Sequence, residues 1–135
     1  MQEILNGLVW VALGSAFGGT ARFFLSGFVG RCIGETFPWG TMVVNVTGAF
    51  AIGVFAAAAS GHAAFQLPAS WQFSVVGILG SYTTVSSFSL QTLALARDGE
   101  FLHAVANVLL SLALCLSAVT LGFAAAAAAI GLGAP

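Results

Sequence analysis

Of the 135 residues, 59% are hydrophobic and only 5% are charged, and the charged groups are three arginines and four acids. A soluble domain typically carries about 25% charged residues, so this composition and a mean hydropathy of +1.04 indicate an integral membrane protein. The net charge of −1 excludes nucleic acid as a partner, because almost no basic groups are available to neutralise phosphates.

Four apolar segments reach the ~20 residues that a transmembrane helix needs. The predicted spans cover residues 4–28, 38–59, 69–96 and 101–130. Pro38 and Trp39 favour a helix start at the interface, because proline suits a first turn and tryptophan anchors among headgroups. The spans predict a single all-α transmembrane domain over residues 1–135, with both termini on the same side of the membrane.

The arginines give only a weak preference for one orientation. Arg22, Arg31 and Arg97 lie toward one face of the membrane, and the opposite face has neither Lys nor Arg. Orientation follows the Lys and Arg content of the loops. So small a difference is typical of a protein that inserts both ways round.

Glycines recur at close spacing in the first two spans. Gly14 and Gly18 are four residues apart, and Gly48 is followed by Gly53 with alanines nearby. Small residues on a helix face let transmembrane helices approach closely. The pattern predicts tight helix contacts without saying which helices take part.

The second span carries a polar stripe centred on Asn45, its only Asn or Gln. Thr41 lies one turn earlier on the same helical face, and Gly48 is close by. An amide in hydrocarbon needs hydrogen-bond partners. The residues alone leave two readings open, which are a bond to another helix and a donor that lines an ion pathway.

The third span contains the stretch 77–89, which is rich in hydroxyl groups and carries two glycines. A uniform lipid-facing helix gains nothing from that composition. A helix that breaks and turns its backbone toward a protein-lined cavity would use it. The sequence therefore predicts a break in the third transmembrane helix.

The fourth span has a second polar stripe, with Asn107 and Ser111 four residues apart. These groups and those of the other stripes are neutral, and most can donate hydrogen bonds. No Asp, Glu or Lys lies within spans two to four, whereas a cation pathway would usually show a carboxylate. Neutral donors favour a small anion, and Phe88 could present its partly positive ring edge to one.

No catalytic arrangement is present, so the sequence does not predict an enzyme. His62 and His103 have no evident carboxylate or thiol partner. Cys32 and Cys115 lie in different apolar segments without metal-ligand spacing, and packing is the simplest reading of both.

Three motifs make the chain resemble the Fluc fluoride channel family, also called CrcB. They are Gly18-Gly19-x-x-Arg22, Gly40-Thr41-x-x-x-Asn45-x-x-Gly48 and Gly77-x-x-Gly80-x-x-Thr83-Thr84-x-Ser86-x-Phe88-Ser89. They fall in spans one, two and three in the family's order and spacing. The resemblance covers essentially the whole chain.

The resemblance implies a multi-pass, all-α protein of the inner (cytoplasmic) cell membrane, with four transmembrane helices and a break in the third. It implies an antiparallel, dual-topology homodimer surrounded by lipid. The implied function is a fluoride-selective ion channel that exports F⁻ and confers fluoride resistance, with no enzymatic activity.

The resemblance also assigns site residues. Asn45 matches the pore asparagine, and Phe88 matches the second phenylalanine of a pair whose ring edges face fluoride. The matches to the polar track are Thr41, Ser86, Ser87 and Ser111. The backbone carbonyls of Gly80 and Thr83 match those that hold a structural Na⁺ ion at the dimer interface, and Arg22 and Gly48 match structural positions.

The chain departs from the family pattern at two positions of the implied fluoride pathway. Val85 stands where the first phenylalanine of the pair is expected, and Asn107 stands where a tyrosine is expected one turn before Ser111. These changes bear on conduction and selectivity more than on the fold. Two alternatives stay open, which are a non-conducting subunit of a heterodimeric fluoride channel and a small multidrug/proton antiporter. The antiporter would need a membrane-embedded Glu, and the first span has no central acid.

Overall fold

The computed structural model describes residues 1–34, 36–61 and 67–131, so His62 lies outside the described residues. All of the regular elements in these ranges are helical. The helices are α1 (Gln2–Ile33), α2 (Trp39–Gly61), α3 (residues 68–82), α4 (Val85–Arg97) and α5 (Phe101–Ala129). Helices α3 and α4 together form the third span.

Within the described residues, four helical spans are long and apolar enough to cross a membrane, which agrees with the predicted number. Helix α1 continues to Ile33, past the predicted end at residue 28. Nothing in that segment breaks a helix until Gly34, whose φ of 102° suits glycine and ends the helix. Arg31 lies in the last turn, where a cation interacts favourably with the helix dipole.

Helix α3 is irregular along its length. It begins with an α-helical turn at Pro68–Trp71, continues as a π-helical segment at Gln72–Leu79 and ends with Gly80–Tyr82. Pro68 occupies the first turn, where its missing N–H costs no helical hydrogen bond. A π-helical segment is rare and often lies at a functional site.

Glycines bring the helix backbones together in two pairs. A Cβ atom on Gly14 of α1 would overlap the Phe73 carbonyl oxygen of α3 and lie 2.9 Å from the Gly77 Cα atom. In the second pair, Gly53 of α2 faces the Val119 carbonyl of α5. The predicted tight contacts are therefore confirmed, between α1 and α3 and between α2 and α5.

The turn between α4 and α5 brings a histidine and a carboxylate together. Gly99 has a φ of 84°, and the Glu100 N–H donates to the Leu95 carbonyl over 2.9 Å. The expectation that His103 lacks a carboxylate partner is wrong, because its Nδ1 atom lies 2.9 Å from Glu100 Oε2. Both side chains are exposed, so this contact adds little stability.

Candidate functional site

The site is built around two extended residues in the third span. Helix α3 ends at Tyr82, and α4 begins at Val85. Between them Thr83 has φ −78° and ψ 158°, and Thr84 has φ −150° and ψ 117°. Thr84 caps α4, because its Oγ1 atom accepts a hydrogen bond of 3.1 Å from the Ser87 N–H.

The Asn45 side chain of α2 forms hydrogen bonds with the backbone of this extended segment. The Thr84 N–H donates to Asn45 Oδ1 over 2.8 Å, and Asn45 Nδ2 donates to the Thr84 carbonyl over 3.0 Å. Backbone groups at membrane depth need such partners wherever the helix does not supply them. One amide side chain therefore satisfies both polar groups of the Thr84 backbone.

These bonds redirect two donors that a continuous helix would use internally. In an unbroken α-helix the Thr84 N–H would donate to the Gly80 carbonyl, and the Ser87 N–H would donate to the Thr83 carbonyl. Here the Thr84 N–H donates to Asn45, and the Ser87 N–H donates to the Thr84 hydroxyl. The Gly80 and Thr83 carbonyl oxygens are thereby released from these donors.

Three hydroxyl groups cluster at the start of α4. Thr84 Oγ1 lies 3.1 Å from Ser86 Oγ and donates to Ser87 Oγ over 3.1 Å. Thr84 is buried, whereas Ser86 is exposed. Because Thr84 donates to it, the Ser87 oxygen keeps its own hydrogen for another acceptor.

A large cavity of about 540 Å³ lies beside the extended segment. Seven of the predicted site residues line it, namely Asn45, Gly48, Gly80, Thr83, Val85, Phe88 and Ser111. Most of the remaining lining is aliphatic, and it includes Ile52, Leu79 and Leu112. Val85 is 77% exposed, so most of this side chain is not covered by the rest of the chain.

A smaller cavity of about 200 Å³ also has Thr84 in its lining. The Arg22 side chain and the hydroxyl groups of Ser26, Thr41, Thr84 and Ser87 line it. Thr84 is the residue common to the linings of the two cavities. The Arg22 guanidinium and the N-terminal end of α4 make this region favourable for an anion.

Asn107 lies behind the large cavity and not on its lining. It is 2% exposed, and its Nδ2 atom donates to Thr92 Oγ1 over 2.8 Å. Thr92 Oγ1 in turn donates to the Phe88 carbonyl over 2.7 Å, and Ser111 Oγ lies 3.5 Å from Asn107 Oδ1. Asn107 thus connects two residues of the lining without reaching the cavity itself.

Sequence reasoning assigned no role to Thr84 and Thr92 of this region and read Cys115 as packing. Thr84 received no role, although threonine is a preferred N-cap residue at a helix start. Thr92 lies one turn after Phe88, and Cys115 lies one turn after Ser111 and lines the large cavity. The four-residue spacing places each on the same helical face as a predicted site residue and could have revealed both.

Comparison with known proteins gives concordant matches over nearly the whole chain. Residues 9–123 match the family described as "CrcB-like protein, Camphor Resistance (CrcB)". The chain is 70% identical over 127 residues to "Fluoride-specific ion channel FluC 2" of Rhodopseudomonas palustris (strain BisB18), covering 93% of this chain and 97% of the relative.

Two further relatives carry related names. The FluC 2 protein of Bradyrhizobium diazoefficiens is 58% identical over 121 residues, which cover 89% of this chain and 88% of the relative. The FluC protein of Rhodospirillum rubrum is 50% identical over 115 residues, which cover 84% of this chain and 89% of the relative. On the family match and these identities, the chain belongs to the CrcB family.

Proposed function

We propose that this protein is a fluoride-selective ion channel of the inner (cytoplasmic) cell membrane that exports F⁻ and so confers fluoride resistance. Family membership and the printed names of the relatives support this function. HF enters a cell by diffusion from acidic surroundings and dissociates inside. The F⁻ ion then leaves through the channel down its electrochemical gradient.

The observation that carries this proposal is the pair of cavities that share Thr84. Their polar lining consists of hydroxyl groups, one amide and one guanidinium, and neither lining includes a carboxylate. A pathway for cations would usually present acidic groups. The antiporter alternative needs a membrane-embedded Glu for proton exchange and finds no support in either lining.

Entry of the ion would use the smaller cavity. Fluoride is small and strongly hydrated, so the protein must replace its water with other donors. The Arg22 guanidinium attracts the anion, and the hydroxyl groups of Thr41 and Ser87 take the place of part of its hydration shell. Thr84 then forms the boundary to the larger cavity.

Passage through the larger cavity would use Asn45, Phe88 and Ser111. Asn45 Nδ2 donates one of its two hydrogens to the Thr84 carbonyl, so the second hydrogen is available to the ion. Phe88 offers the positive edge of its ring. Val85 supplies no ring edge, so each pathway depends on one phenylalanine where the family pattern has two.

A second copy of the chain would complete the site as an antiparallel, dual-topology homodimer. Extended backbone is tolerated at membrane depth only where protein covers it or where it lines a water-filled cavity. Thr83 and Thr84 are extended, and the Val85 side chain beside them is mostly uncovered. A partner that packs there would shield the segment from lipid.

A structural Na⁺ ion at the dimer interface would use the Gly80 and Thr83 carbonyls. The fit rests on the redirected donors, because both oxygens have lost the N–H groups that a continuous helix would supply. Two such oxygens from each of two copies would surround one cation. A buried cation needs a cage of this kind.

The test is fluoride efflux from liposomes that contain the purified protein, followed with a fluoride electrode. We expect efflux well above that of protein-free vesicles and far slower chloride release. Phe88→Ile should reduce fluoride efflux about tenfold by removing the ring edge. Phe28→Ile is the matched control, because Phe28 is exposed on α1 and outside both linings.

Absence of efflux from the wild-type protein would contradict a channel formed by this chain alone. Efflux that appears only with a second family member would instead identify the chain as one subunit of a heterodimer. Equal efflux from the two Phe variants would remove Phe88 from the pathway.

A further inference from the structure

A chain of hydrogen bonds joins α5 to α4 behind the large cavity. It runs from Ser111 Oγ to Asn107 Oδ1 (3.5 Å), from Asn107 Nδ2 to Thr92 Oγ1 (2.8 Å), and from Thr92 Oγ1 to the Phe88 carbonyl (2.7 Å). Ser111 and Phe88 at its two ends line the cavity, and the two residues between them do not.

We propose that Asn107 and Thr92 form a clamp that positions Phe88 and Ser111 for the passing anion, and that the clamp controls both fluoride flux and selectivity over chloride. The proposal deepens the proposed function and rests on it. Neither residue touches the ion, since Asn107 is 2% exposed and both lie outside the lining. They are positioning residues.

The clamp matters because packing does little to hold α4. Helix α4 has 13 residues, and none of them is buried. Its N-terminal end is held by the bonds between Thr84 and Asn45. The Asn107–Thr92 bond joins α5 to α4 one turn beyond Phe88, so it restrains the rotation of α4 and with it the direction in which the Phe88 side chain leaves the backbone.

The Thr92 hydroxyl is the central group of the clamp, because it donates and accepts at once. Its hydrogen goes to the Phe88 carbonyl, and its oxygen accepts from the Asn107 amide. Serine can make both bonds, whereas valine has the shape of threonine and can make neither. Thr92→Ser should therefore keep the clamp, and Thr92→Val should break it.

The bond between Ser111 and Asn107 lets the hydroxyl serve two partners. At 3.5 Å it lies at the long limit for a hydrogen bond and is weak. The Ser111 hydrogen can leave Asn107 for an anion at little cost, and Asn107 holds it in place when the ion has passed. Asn107 thus keeps a donor ready at the cavity.

The first measurement does not depend on fluoride conduction. A 4-fluorophenylalanine is placed at position 88 of the full-length protein, and its ¹⁹F NMR spectrum is recorded in detergent micelles. We expect one narrow signal for the wild type and Thr92→Ser, and a broadened or split signal for Thr92→Val and Asn107→Leu. Thr20→Val is the control, because its hydroxyl makes the same kind of i−4 backbone bond on α1.

The second measurement is efflux of fluoride and chloride from liposomes. Thr92→Val and Asn107→Leu should each lower the fluoride-to-chloride rate ratio about tenfold, since each loses the bond between Asn107 and Thr92 together with one further bond of the clamp. Thr92→Ser should stay within about twofold of the wild type. The effect of the double variant Thr92→Val/Asn107→Leu should be smaller than the sum of the two single effects, because both single variants already lose the Asn107–Thr92 bond.

The outcomes separate the clamp from the channel function. Narrow ¹⁹F signals in both clamp variants, wild-type selectivity in Thr92→Val, or effects that add in the double variant would each overturn the clamp. A wild-type protein without fluoride efflux would contradict the proposed function, and the NMR comparison would still decide whether the clamp orders Phe88. If Thr92→Val does not fold, Asn107→Leu tests the same bond from α5.

Discussion

At the scale of single residues, Asn45 shows what the sequence could predict and what it could not. A lone amide in an apolar span is conspicuous, and the sequence left open whether it bonds to another helix or lines a pathway. In the structure Asn45 bonds to the Thr84 backbone of another span, and it also lines the large cavity. That partner could not be predicted, since it is a backbone group 39 residues away that becomes available only where the helix is interrupted.

Asn45→Ala should destabilise the protein by about 1–3 kcal/mol, because it leaves the Thr84 N–H and carbonyl without side-chain partners. The measurement is the thermal unfolding midpoint of the detergent-solubilised protein, followed by tryptophan fluorescence. Ser60→Ala is the control on the same helix, since the Ser60 hydroxyl donates to the carbonyl one turn earlier. Equal midpoints for the two variants would show that the Asn45 amide is not holding the segment.

At the scale of helices, the glycine pattern predicted close contacts, and the structure shows which helices make them. Gly14 lies against the backbone of α3 at Phe73 and Gly77, and both of these residues belong to the π-helical segment. The sequence could not give the helix pairs, because spacing shows only which residues share a face. The π-helical geometry was also beyond it, since the spacing of apolar residues does not reveal the hydrogen-bond register within a helix.

Gly14→Ala should destabilise the protein by about 1–3 kcal/mol, because the new Cβ atom would meet backbone atoms that cannot rotate away. Gly19→Ala on the same helix is the matched control, because no atom lies within 4 Å of its added Cβ atom. Alanine also favours a helix over glycine, so this control should be neutral or slightly stabilising. The measurement is the thermal unfolding midpoint of each variant. Equal decreases in the two midpoints would contradict a tight α1–α3 contact.

At the scale of the whole molecule, hydropathy was sufficient for the four spans, because each is long, apolar and bounded by polar or turn residues. It could not say what covers the exposed side of Val85 or the carbonyls beside it. The two carbonyls are left without their helical donors because the Thr84 N–H donates to Asn45 and the Ser87 N–H donates to the Thr84 hydroxyl. The homodimer and its Na⁺ ion are proposals that rest on the family resemblance, and this local rearrangement supports them.

Removal of Na⁺ should lower both the unfolding midpoint and the dimeric fraction, because a ligand that binds only the assembled protein stabilises it by about 2.7 kcal/mol at a hundredfold excess over Kd. The comparison is between NaCl and N-methylglucamine chloride at equal ionic strength, with the dimer measured by cross-linking in liposomes. Asn45→Ala provides an internal check, because the Thr84 N–H is then free to return to the Gly80 carbonyl and compete with the cation. We expect this variant to respond less to Na⁺ than the wild type. Identical midpoints and dimer fractions of the wild type in the two salts would remove the carbonyl cage from the proposal.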